Sequence, residues 1–76
     1  MEQVNKKETA EQRFKRIAEV RTNAVLDRLR ILGNLSNRQM YSYSEEDINK
    51  IFLAINKQIR EVRAKFNSRK EKKFKL

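Results

Sequence analysis

The chain has 76 residues and a formal charge of +9, from 19 lysines and arginines against 10 acidic residues, with no histidine, cysteine or proline and one glycine. That length holds one small domain at most, and the missing residue types exclude disulfides, thiolate or imidazole metal sites and serine–histidine or cysteine–histidine catalysis. No apolar run approaches a membrane span and the N-terminus is too polar for a signal peptide, so a cytoplasmic protein that takes no cofactor is expected.

With β-patterned runs nearly absent and little to break a helix, the fold class is read as all-α. Residues 1–8 are polar, mixed in charge and expected to form a flexible segment. Thr9 then offers a helix start, with Gln12 three residues later completing a capping box. From Ala10 to Leu32 nothing interrupts a helix. Phe14, Ala18, Val25, Leu29 and Leu32 share a face, with Ile17 beside them. Val20, Ala24 and Ile31 form a second, weaker apolar strip beyond the row of Arg21 and Arg28. Those two arginines have competing readings. Their stems can pack along the seam while the guanidiniums stay wet or pair with carboxylates across the hairpin, or they can present two forks to phosphates.

Gly33 is expected to end this helix in a left-handed conformation, with Arg28 and Arg30 facing the negative end of the dipole. The connection over residues 33–43 is long for a helical bundle, where about 2–8 residues are usual. It holds Leu35, Met40, Tyr41 and Tyr43 among polar residues, and Met40 to Tyr43 has the pattern of a short extended segment. One reading packs Leu35, Met40 and a tyrosine at the end of the hairpin while Asn34, Ser36 and Asn37 satisfy turn backbone. The other makes Asn37, Arg38, Tyr41 and Tyr43 an exposed recognition surface.

The second helix is the most regular stretch of the chain, about residues 45–66. Ser44 and Asp47 form a variant capping box, Tyr43 and Ile48 occupy the positions of a hydrophobic staple, and Glu45, Glu46 and Asp47 suit the positive end of the dipole. Ile48, Phe52, Ile55, Ile59, Val62 and Phe66 recur at alternating steps of four and three, a heptad seam that Ile51 widens. Lys50, Asn56, Lys57, Arg60, Glu61 and Lys65 lie mainly outside it. Beyond residue 67 comes a C-terminal stretch, 68–76, whose Arg69, Lys70, Lys72, Lys73 and Lys75 face one carboxylate, Glu71. It either extends the helix by a turn or two or forms a basic arm.

Two helices of matched length over residues 9–67 describe an antiparallel helical hairpin with a long connecting loop and a basic C-terminal arm. Two helices bury only the facing part of each stripe, and the apolar arc of the first is wide. A homodimer forming a four-helix bundle, or docking on a larger protein, is therefore expected.

No nucleophile–base pair, phosphate-cradling glycine loop or calcium-loop spacing is present, so an enzyme is the least favoured class. The charge balance points to a small protein that binds nucleic acid, DNA or RNA, through Arg13, Arg16, Arg21, Arg28, Arg38 and the arm residues Arg69, Lys70, Lys72, Lys73 and Lys75. The alternative is a protein-interaction module (adaptor, inhibitor or assembly subunit) that meets its partner through Val20, Ala24, Ile31, Tyr41 and Tyr43.

Overall fold

The structure, a computed structural model, describes the backbone of residues 7–71 and the side chains of residues 7–67. The described residues are all-helical, without strands, and comprise two long helices, α1 (Ala10–Gly33) and α2 (Glu45–Glu71). The chain divides into two compact units, Met1–Tyr41 around α1 and Ser42–Leu76 around α2.

Both helices begin as local chemistry dictates. At the start of α1 the Thr9 N–H donates to Gln12 Oε1 at 2.9 Å, and the Gln12 N–H donates back to Thr9 Oγ1 at 3.0 Å. At α2 the Ser44 N–H donates to Asp47 Oδ2 at 2.9 Å and the Asp47 N–H to Ser44 Oγ at 3.0 Å. Each reciprocal pair satisfies two backbone donors at a helix start that have no partner within the helix. Glu45, Glu46 and Asp47 fill the first turn of α2, where the helix dipole is positive. Tyr43 and Ile48, the staple positions, are both half-buried.

The end of α1 corrects the sequence expectation. Gly33 keeps right-handed backbone, φ −62° and ψ −21°, and no left-handed residue terminates the helix. Instead the chain tightens into a single 3-10 turn over Asn34–Ser36, and the Asn34 N–H donates to the carbonyls of Ile31 and Leu32. That tightening supplies partners for terminal carbonyls without any need for positive φ. A Cβ at Gly33 would meet nothing within 4 Å. Gly33→Ala should therefore stabilise α1 by about 0.5–1 kcal/mol, through helix propensity and a less flexible unfolded chain. A thermal melt monitored at the helical circular dichroism band checks this; a lowered midpoint would mean that the position needs glycine after all.

The connection also departs from the extended reading of Met40 to Tyr43. The Met40 and Tyr41 N–H groups both donate to the Asn37 carbonyl, at 3.1 and 3.0 Å, and the Asn37 side chain accepts from the Gln39 N–H at 2.9 Å. Asn37 thus anchors a turn that takes in Met40, because an asparagine side chain mimics a backbone acceptor at that distance along the chain. Irregular backbone then runs from Tyr41 to Ser44, with Tyr41 exposed and Tyr43 half-buried.

No described side chain is buried. Much of each apolar stripe is exposed, with Phe14 at 56 %, Phe52 at 48 % and Ile59 at 54 %. Ile17, Ala18 and Leu32 on α1, and Ile48, Ile51 and Ile55 on α2, are half-buried. Each unit therefore presents an amphipathic helix whose apolar face is available for burial.

Candidate nucleic-acid interface

The cations of α1 fall into two groups. Around its N-terminus, Arg16 clamps Glu8, with Nε to Oε2 at 2.8 Å and Nη2 to Oε1 at 3.1 Å. Arg13 Nε stands 3.9 Å from the same carboxylate. Glu8 lies just before the helix cap, at the end of the segment read from sequence as flexible, and keeps only 12 % of its side-chain surface exposed. Two guanidiniums stand against it. The hydrogen bond from Arg16 holds its carboxyl below the usual carboxylate range, and the charges of Arg16 and Arg13 add to the effect. The same bond raises Arg16.

The sign of that shift sets a pH dependence. A carboxylate depressed in the folded state contributes stability above its unfolded pKa and loses it as pH falls through the folded value. Acidification from neutrality to below the ordinary carboxylate range should loosen the first turns of α1. Glu8→Gln should show that looseness already at neutral pH and respond less to acid. Amide exchange of residues 10–16 in the two proteins is the check, and identical pH profiles would exclude Glu8 as the titrating group.

Farther along α1, Lys15 pairs with Glu11 at 3.5 Å, one turn away, and Arg30 pairs with Asp27. Arg21 and Arg28 are different. Both are exposed, neither is held by a carboxylate among the described residues, and they stand about 10 Å apart along the helix. They lie between the two apolar strips, so the center of the broad apolar arc carries two guanidiniums. Val20 is 67 % exposed and Ile31 43 %, with Ala24 exposed beside them. Arg38 sits in the turn that follows Asn37 and is exposed.

On α2, Lys50 pairs with Glu46 at 3.7 Å. Arg60 and Arg63 are exposed with no carboxylate partner among the described residues. The helix continues past Phe66 to Glu71, so the backbone of Arg69 and Lys70 is helical. Their side chains, and all of Lys72, Lys73 and Lys75, lie outside the described residues.

The structure thus joins Arg13 and Arg16 at Glu8, and leaves Arg21 and Arg28 as a separate exposed pair on α1. Two features escaped the sequence reading. The Glu8–Arg16 clamp spans eight residues, which no helical spacing rule anticipates, since only the third and fourth neighbours meet along a helix. Arg60 and Arg63 were legible by their three-residue spacing, but only Arg60 is read from the sequence, as lying outside the seam, and Arg63 is missed. Among the described residues no cluster of acidic side chains is arranged to hold a metal ion, and no helix is long and apolar enough to cross a membrane.

The chain matches no protein-family model, no curated protein and no solved structure.

Proposed function

We propose that this chain is a non-enzymatic nucleic-acid-binding protein whose exposed arginines and basic C-terminal residues contact phosphate. One observation carries the reading: among the described residues four carboxylates are engaged by nearby cations, while four exposed arginines have no carboxylate partner. Glu8 holds Arg16, Glu11 holds Lys15, Asp27 holds Arg30 and Glu46 holds Lys50. Arg21, Arg28, Arg60 and Arg63 face solvent without such a partner among the described residues. The chain's formal charge of +9 favours a polyanionic partner, and these four arginines are exposed where one can reach them. In the same proposal the two apolar stripes close as an antiparallel hairpin, and two hairpins pair into a four-helix bundle in a cytoplasmic setting.

Phosphate contact releases condensed counterions, so affinity must fall steeply with salt. Fluorescence anisotropy with labelled duplex DNA, duplex RNA and single strands should show binding at low salt and release as salt rises. A full chain that binds none of these probes at low salt would contradict the proposal. The outcome would then favour a protein-interaction module, for which Val20 and Ile31, exposed on the weaker strip of α1, together with exposed Tyr41, offer an apolar contact.

A further inference from the structure

The faces of α2 away from its seam differ in a way that composition does not require. One side alternates in sign: Glu46, Lys50, Lys57, Glu61 and Lys65 share it, and Glu46 pairs with Lys50 across one turn. This is the ordinary solvated face of a helix. A second stripe carries Asn49, Asn56, Arg60, Arg63 and Asn67, at steps of seven, four, three and four, and the next step of three reaches Lys70. From Asn49 to Lys70 it holds no carboxylate; Glu45, one turn earlier, is the last. The five residues through Asn67 are all exposed. Asparagine is also a poor choice for a solvated helix interior, because it forms helix less readily than glutamine or lysine, which solvate equally well. Three asparagines in register with two arginines are therefore not accounted for by the helix alone.

We infer that this stripe is the surface by which α2 enters the major groove of B-form duplex DNA, with Asn56, Arg60, Arg63 and Asn67 meeting base edges and phosphates. The inference rests on the nucleic-acid reading above and adds the face and the form of nucleic acid. Amide side chains pair with adenine and guanidiniums with guanine or with phosphate, and these are the two side-chain types the stripe combines. From Asn56 to Asn67 the stripe spans about 16 Å at the helical rise, or about five base-pair steps. It is centered roughly 100° around the helix from the seam, so burying the seam leaves it open.

Other nucleic acids fit less well. The major groove of A-form RNA is too deep and narrow for side chains on a helix to read. Single strands are held by bases stacking on aromatic rings, and the rings of α2 within the described side chains, Phe52 and Phe66, belong to the seam.

The test uses the full chain and compares two variants with equal charge loss. Arg60→Gln with Arg63→Gln removes two cations from the stripe, while Lys57→Gln with Lys65→Gln removes two from the mixed face. All four positions are exposed and glutamine suits a helix, and circular dichroism confirms that both variants keep the wild-type helicity. The stripe variant should flatten the log–log salt slope on duplex DNA by about 1.8, two contacts' worth, and the control should leave it nearly unchanged. Wild type should prefer duplex DNA to duplex RNA and to single strands. Equal slopes in the two variants, with wild-type binding intact, would overturn the stripe and leave the nucleic-acid reading standing. Equal affinity for all three probes would overturn the groove assignment. A wild-type chain that binds no nucleic acid would end the broader reading as well as this one.

Discussion

Ile55→Ala or Ile59→Ala should lower stability by about 2–5 kcal/mol, the range for a large aliphatic side chain removed from a packed core. Ile55 is half-buried and Ile59 is 54 % exposed, so neither contributes that much unless another apolar face covers it. The seam offers little else to rely on. Its rows are Ile48, Ile55 and Val62 on one side and Phe52, Ile59 and Phe66 on the other, and no charged residue interrupts them. In a chain of this length two or three such side chains are a large share of the available core. Chemical denaturation of wild type and variants at one protein concentration measures the effect. Wild-type midpoints in both variants would show that the seam stays wet.

Removing Ser68 to Leu76 should leave the seam whole and weaken binding to nucleic acid. The deletion takes the last helical turn with Arg69 and Lys70, together with Lys72, Lys73 and Lys75 beyond it. Phe66, the last seam residue, stays, so helicity per remaining residue should hardly change. Each lost phosphate contact flattens the salt slope by about 0.7–0.9, so losing two to four contacts flattens it by about 1.4–3.6. At low salt the truncated chain should still bind through Arg21, Arg28 and the α2 stripe. An unchanged slope would remove the C-terminal cations from the interface.

What the sequence disclosed of this structure follows from the range of the interactions involved. The two capping boxes were legible because Thr9 with Gln12, and Ser44 with Asp47, act within a single turn. Helical content was legible for the same reason, through the three-and-four rhythm of apolar residues. Gly33 was misjudged because glycine permits a left-handed ending without demanding one, and a 3-10 turn satisfied the same carbonyls. Met40 was drawn into a turn by Asn37, whose side-chain and backbone acceptors outweighed the strand-like spacing of the tyrosines. Glu8 was missed because it lies before the helix cap and pairs with Arg16 across eight residues, where helical spacing gives no guide. A stripe states that a face is to be covered and does not name what covers it. The hairpin and the dimer are for that reason proposals built on the stripes.

The seams' claim to a second copy is best tested by sedimentation equilibrium of the full chain at micromolar concentration, with helicity recorded on the same sample. A monomer of 9.2 kDa leaves the broad arc of α1 partly wet even if the hairpin closes. The expected result is a helical species of twice that mass, shifting toward the monomer in Ile59→Ala. A fully helical, cooperatively melting species that stays at the monomer mass across the range would contradict the four-helix assembly.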